Sequence, residues 1–269
     1  MKKVVIVIPV HSQNPTEFEL LSFEQCFKIL GRHPIVIIAP EGLDLKLYRD
    51  RIKLFNVIYI KQVWLSSVES YNKLKKSQFF YKLFKEYEYI LTHELDAFVF
   101  KDELLFWCAK GFDYIGAPWF EKFADANTTS KIIGVGNSGF SLRKTKTIKK
   151  YLSNYVQKSK RYYSRKPIVK LFGIFEYYLN GGLRIFCLNK TVEKFSNEPE
   201  DMFICYRLKM KFPLLNIATV EDAKQFSFEF NPETLYYLNN GNLPFGCHAW
   251  WRYDLEFWRP HINKAGYSI

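Results

Sequence analysis

Val4-Val5-Ile6-Val7-Ile8 is an unbroken apolar run, the signature of a strand covered on both faces. Asn14-Pro15-Thr16-Glu17 then predicts a helix start, with Asn14 as cap, Pro15 at the first helical position and Glu17 reaching back. That helix carries Phe18, Leu21, Phe27 and Leu30 and stops near Gly31. Pro34 to Ala39 reads as a second strand, Asn56 to Ile60 as a third, and Tyr71 to Tyr87 as a helix. Strand and helix alternate. Residues 1–100 therefore predict an α/β fold, a mostly parallel, Rossmann-type sheet flanked by helices.

A fourth buried strand, Tyr89 to Phe100, is interrupted by Glu94 and Asp96. An unpaired buried charge is costly, so something must pair with these acids. Residues two apart on a strand share a face, which lets both meet one divalent cation held on a phosphate. The alternative is a strand end whose acids meet water or an arginine. Ligands of parallel sheets sit beyond the carboxyl ends of the strands. The polar breaks Pro9-Val10-His11-Ser12, Pro40-Glu41-Gly42 and His93-Glu94-Leu95-Asp96 all fall at such ends and converge on one rim.

Beyond Phe100 the pattern predicts a short strand over 112–119, a loop over 127–133 and a glycine-rich segment, Gly134 to Arg143, preceding another short strand. That segment does not link a strand to a helix, so it is no dinucleotide fingerprint. Its glycines let backbone pass close to a ligand or turn tightly. Lys144 to Lys160 predicts an amphipathic helix with Ile148, Tyr151, Leu152, Tyr155 and Val156 on one face. Its other face, with Lys144, Lys146, Lys149, Lys150, Lys158 and Lys160, is either solvated or suited to an acidic membrane. Leu171 to Phe186 is rich in Phe and Tyr and carries no assignable role. Asn197 to Asp201 opens a helix over Met202 to Leu208, where acids also complement the helix dipole. Without repeats or a linker, 1–269 reads as a single domain, 101–269 being its smaller, mixed portion.

With 48% hydrophobic and 18% aromatic residues the chain is globular rather than disordered. The net charge of +12 leans toward anionic partners: nucleotide phosphates, nucleic acid or acidic lipid. Cys26, Cys108, Cys187, Cys205 and Cys247 are scattered and include no C-x-x-C pair. That predicts neither a disulfide framework nor a zinc site, and a reducing cytoplasm. The apolar start is broken by Pro9 and His11 and lacks a cleavage site, so it reads as a strand rather than a leader. No run approaches a bilayer span. The expected location is cytoplasmic, with peripheral attachment to the inner membrane face at most.

The first half resembles the nucleotide-binding half of a GT-A glycosyltransferase. Together ELDAFVFKDEL, DYIGAPW, GNSGFSLR, PEDMF and LPFGCHAW resemble a bacterial glycosyltransferase family of surface-polysaccharide clusters, from Val4 to about Trp258. The resemblance implies that Glu94 and Asp96 stand at the metal-binding D-x-D motif, with Glu departing from the motif at the first position. It implies Mn²⁺ or Mg²⁺ on a sugar-nucleotide diphosphate, whose departing charge the cation stabilises. His248 resembles a C-terminal histidine that completes the metal site; its alternative is a core histidine. Asp201, beside Glu200, resembles the base of inverting enzymes, with capping as the alternative.

Asn137, Ser138 and Gly139 fall where relatives shape the donor and acceptor pocket; Glu200 is expected there too, and Trp119 and Trp250 offer flat apolar faces for a sugar ring, although aromatic residues more often serve as core. Pro9, His11 and Glu41, with Tyr71, Asn72 and Ser77 by analogy, are expected at the nucleotide. The implied partners are a nucleotide-sugar donor, expected to be UDP-linked, and a surface or lipid-linked glycan acceptor, with no nucleic acid. Two other classes compete. A polyanion- or RNA-binding protein predicts steeply salt-dependent binding but gives no reason for acids at three strand ends. A nucleotidyltransferase calls for a Gly-rich basic loop after the first strand, unlike Pro9 to Ser12.

Overall fold

The computed structural model of the protein describes residues 1–155, 164–183 and 192–269. Its first half alternates as the hydrophobic pattern requires: β1 (Lys2–Pro9), α1 (Glu17–Leu30), β2 (Ile35–Pro40), α2 (Lys46–Arg51), β3 (Asn56–Ile60), α3 (Val68–Lys76), α4 (Gln78–Leu83), β4 (Tyr87–His93) and β5 (Phe98–Val99). The second half continues with α5 (Leu104–Ala109), β6 (Tyr114–Phe120), β7 (Ile132–Lys144), α6 (Thr145–Asn154), α7 (Pro167–Leu183) and α8 (Val192–Phe195). Then follow α9 (Glu200–Met202), a π-helical turn over Phe203–Leu208, α10 (Lys209–Lys211), α11 (Val220–Phe226), β8 (Ser227–Phe228), α12 (Pro232–Leu238), β9 (Gly246–Cys247) and α13 (Leu255–Lys264).

A six-stranded sheet of order β3-β2-β1-β4-β7-β6 forms the centre. β1 to β4 are parallel, and the sheet is extended by β7, which runs antiparallel to both β4 and the edge strand β6. Alternate residues of each strand feed opposite cores: Val5, Val7 and Ile90 one, Val4, Ile6 and Leu91 the other. Burial on both faces is what the unbroken apolar runs require. The mixed α/β architecture expected from the sequence is thus the one observed.

Several local expectations change. The strand expected over Tyr89 to Phe100 is two, β4 and β5, because the chain turns at Leu95 and Asp96 and the two pair in different sheets. Helix α1 is capped by Thr16, not Asn14: Glu19 N donates to Thr16 Oγ1 at 3.2 Å, and Thr16 N to the Glu19 carboxylate at 2.7 Å. Both Asn14/Glu17 and Thr16/Glu19 have capping-box spacing, and only the second frame closes reciprocally. The predicted helix from Tyr71 is two helices, because Ser77 ends α3 and caps α4 through Phe80 N. The glycine-rich segment is itself strand β7, paired on both sides, with bulge-like register shifts against β6. Gly136, at φ +152°, leaves room where any Cβ would overlap Cys205 Sγ. The basic helix ends at Asn154; Val156, Lys158, Lys160 and Arg161 lie outside the described residues. So does Phe186, the end of the Phe- and Tyr-rich stretch, whose residues from Leu171 to Leu183 lie in α7.

Among the described residues, Cys26, Cys108, Cys205 and Cys247 are buried free thiols. No described helix is long and apolar enough to cross a membrane.

Candidate metal and donor site

The chain leaves β4 at His93 and turns back through Glu94 to Asp96 before entering β5. β5 belongs to a small second sheet, β5-β9-β8, and this sheet assembles the site. β8 and β9 are parallel with Phe228 opposite Cys247, so the residues that follow, Glu229 and His248, emerge side by side. Phe98 pairs with Cys247 across the antiparallel β5–β9 edge, which brings Asp96 to the same place. On the other side Glu94 N donates to Gly139 O of β7 at 2.9 Å.

The result is a compact donor set. One oxygen each from Glu94 and Asp96 and a ring nitrogen of His248 lie within 4.8 Å of one another. His248 Nε2 stands 3.0 Å from Asp96 Oδ1 and 3.5 Å from Glu94 Oε2. Behind the ring, Nδ1 lies 3.2 Å from Glu229 Oε2. Carboxylate, imidazole and carboxylate in this order match the way a carboxylate behind the ring orients metal-bound histidines. These are ion-pair distances, yet neither His248 nitrogen makes an aligned hydrogen bond, nor does Glu229 Oε2. Of these atoms His248 Nε2 faces both Glu94 and Asp96, a buried nitrogen that fits a shared cation, and two carboxylates with an imidazole suit Mn²⁺ better than Ca²⁺.

Electrostatics follow from this crowding. Burial opposes charge on His248, but Asp96 and Glu229 outweigh it and raise its pKa well above the usual value. Burial likewise opposes charge on Glu94, and Lys75 and His248 hold its carboxyl below the usual range. Asp96 is lowered too: burial resists, while His248 and Arg252, whose Nη2 is 3.2 Å from Asp96 Oδ2, prevail.

Gly139 is required here. A Cβ on it would overlap the His248 ring. We expect Gly139→Ala to displace the imidazole and weaken Mn²⁺ binding by about tenfold or more, measured by electron paramagnetic resonance titration. Unchanged affinity would remove His248 from the donor set.

Helix α3 joins this centre to the acids at 200–201. Asn72, Lys75 and Lys76, at i, i+3 and i+4, share one face. Lys75 Nζ lies 3.1 Å from Glu94 Oε1, 2.8 Å from Ser138 Oγ and 3.4 Å from Glu200 Oε2. Lys76 Nζ donates to the carbonyls of Ser196 (2.8 Å) and Glu198. Asn72 Oδ1 accepts from Glu200 N at 2.8 Å. Together they fix the chain entering α9. Glu200, wholly buried, pairs with the equally buried Arg143. Next to it, Asp201 has its carboxyl pushed up to about 7, by burial first and then by the Glu200 charge.

Several expected site residues therefore have other work. Asn72 uses both ends of its amide within the chain, Nδ2 donating to Val68 O. Ser77 is buried as the helix cap. Glu200 is an internal ion pair rather than a pocket wall. Trp250 is fully enclosed, its indole N–H donating to Ser22 Oγ at 3.0 Å, and Trp119 is buried beside Gly134 and Gly136. Neither tryptophan has a face open to a sugar, because the aromatic surface serves the core. Asn137, Ser138 and Gly139 line up on β7 beside Glu94 and Asp96. Tyr71 lies under Lys75, 4.2 Å from ring centre to Nζ, its hydroxyl pKa raised by burial and by Glu94. Pro9 closes β1, and His11 and Glu41 are exposed just past β1 and β2.

Lys75, Arg143, Glu229 and Arg252 were not foreseen as site residues. Glu229 carried a usable signal, an acid in the apolar run Phe226 to Phe230. Lys75 had none, since Lys73, Lys75 and Lys76 read as one solvated cluster.

A model of the family described as "Protein of unknown function (DUF5672)" matches residues 54–248. No curated protein matches. Among solved structures, the chain is similar to mouse xyloside xylosyltransferase 1 in its apo form, at 10% identity, over 92% of this chain and 97% of that one, with a TM-score of 0.46. It is similar to core-mannan synthase A of Aspergillus fumigatus in an Mn/GDP form, at 11% identity, over 74% and 68%, TM-score 0.42. A glycosyltransferase involved in glycosylation of the major capsid of PBCV-1 matches at 11% identity over 91% and 92%, TM-score 0.41. At such scores the function must be argued from the site itself.

Proposed function

We propose that this chain, which belongs to the family described as a protein of unknown function (DUF5672), is a metal-dependent glycosyltransferase. The reaction moves a hexose from a UDP-linked nucleotide sugar to a surface-polysaccharide or lipid-linked glycan. One observation carries the reading: Glu94, Asp96 and His248 gather within 4.8 Å at the carboxyl end of a parallel strand, with Glu229 behind the imidazole. That is where an α/β sheet offers a ligand site, and nothing in packing calls for so many acids there.

Glu94, Asp96 and His248 would hold Mn²⁺ or Mg²⁺. When bound, such an ion stabilises the negative charge that develops on the departing diphosphate. The chain's own residues do the rest. Glu229 orients the imidazole, Lys75 holds Glu94 and Ser138 in place, and Gly139 admits the ring. Asp201 accepts the proton of the acceptor hydroxyl as it attacks the anomeric carbon, giving inversion. A carboxyl near pH 7 is suited to that task, being ionised often enough while retaining basicity.

Asp201→Asn is expected to keep donor and metal binding but lower turnover by about 100-fold or more, read by nucleotide release from a panel of sugar nucleotides. Normal transfer by the variant would remove Asp201 as base. In the native chain, turnover should rise as pH increases through about 7, where Asp201 loses its proton. Stability runs the other way. The folded pKa lies above the ordinary 3.8, so the stability from holding this proton is full below 3.8 and lost as pH rises to about 7.

A further inference from the structure

Helix α7 turns its apolar side outward. Ile168, Leu171, Phe172, Phe175, Tyr178 and Leu179 recur at three- and four-residue spacing, so they share one face. They are between 49% and 72% exposed. The inner side is different: Gly173 is buried, and Tyr177, four residues on, packs near Lys211 with 5.7 Å from ring centre to Nζ. A surface helix normally buries such a stripe, and a contiguous exposed apolar patch marks an interaction site.

Charge identifies the partner. Ten of the 39 Lys and Arg residues, and none of the 27 Asp and Glu residues, lie between Lys144 and Lys170. This tenth of the sequence carries +10 of the net +12. Arg165 and Lys166, both exposed, immediately precede α7. The positive end of a helix disfavours cations there, and no acid occupies its first turn. Helix stability thus gives no reason for these charges. Lys211 Nζ also stands 5.7 Å from the Tyr155 ring, so the end of the basic helix α6 meets α7 around it.

We propose that α7 lies in the surface of an anionic phospholipid bilayer, its apolar face among the acyl chains and the neighbouring basic residues over the headgroups. This goes beyond the transferase reading and does not depend on it. A second copy of the chain is the competing occupant. Symmetric pairing through this face would join two copies that each carry the exposed cations Arg165 and Lys166 beside it, which like-charge repulsion opposes.

Co-sedimentation of the full chain with vesicles tests the proposal in the absence of donor and metal, so its outcome is independent of catalysis. Expected is binding to phosphatidylcholine vesicles containing about 30% phosphatidylserine, and about tenfold weaker binding to pure phosphatidylcholine. Phe172→Asp with Phe175→Asp should weaken binding to the anionic vesicles by about tenfold or more, with unchanged circular dichroism because both side chains are exposed. Ile168→Asp with Leu171→Asp gives an independent pair should the first fail to fold. Native-level binding by a folded variant overturns the proposal, as does a native chain that ignores anionic vesicles, including one that self-associates through α7.

Discussion

Asp96→Asn is expected to abolish metal-dependent nucleotide binding. The substitution keeps the size of the side chain and removes the charge that faces His248 Nε2 at 3.0 Å. A neutral amide is a poor ligand for a small divalent cation, which needs deprotonated donors. Glu94 and His248 cannot compensate, because Glu94 already shares its charge with Lys75. Glu229→Gln is the graded comparison. It touches only the far side of the imidazole, so a loss of about 10- to 100-fold in metal affinity is expected, the usual weight of such support. Isothermal titration of Mn²⁺ into each variant, and of nucleotide in its presence, reads both effects. Equal, small losses for the two would mean that the acids serve the fold and not an ion.

Glu200→Ala is expected to destabilise the protein by about 3–5 kcal/mol, the usual result of stripping one partner from a buried ion pair. Arg143 would keep its buried charge against neutral groups, Ser141 Oγ at 2.7 Å and the Tyr114 ring, and Lys75 would lose one of its two carboxylates. Burial disfavours the Arg143 charge, and Glu200 more than restores it. Urea unfolding measures the loss, and a cost under about 1 kcal/mol would mean that water reaches the pair. Replacing both partners by apolar residues should recover much of the stability, since neither charge is then stranded. The second consequence is functional. Without the Glu200 charge, the Asp201 carboxyl should titrate below about 7, moving the rise in turnover to lower pH.

The sheet was readable because burial on both faces writes itself as unbroken apolar runs, and β1, β2 and β4 follow those runs closely. Asp96 stood out for the same reason, as a charge where the pattern asked for none. His248 and Asp201 entered through resemblance alone. The structure adds what local pattern could not: β8 and β9 are two-residue strands, too short to show any period, yet they set Glu229 beside His248. Lys75 was invisible because a buried lysine and a solvated one look alike until Glu94, Ser138 and Glu200 arrive from distant segments. The tryptophans erred in the opposite direction. An aromatic face suits a sugar or a core equally well, and for Trp250 the core contact with Ser22 decides.

Calorimetric titration of UDP and GDP into the native chain, with and without Mn²⁺, tests the central claim most directly. Saturable binding of at least one nucleotide that appears with Mn²⁺ and vanishes without it is the predicted result. Binding of equal strength in the absence of metal, or none under either condition, would contradict a cation-held diphosphate at Glu94, Asp96 and His248.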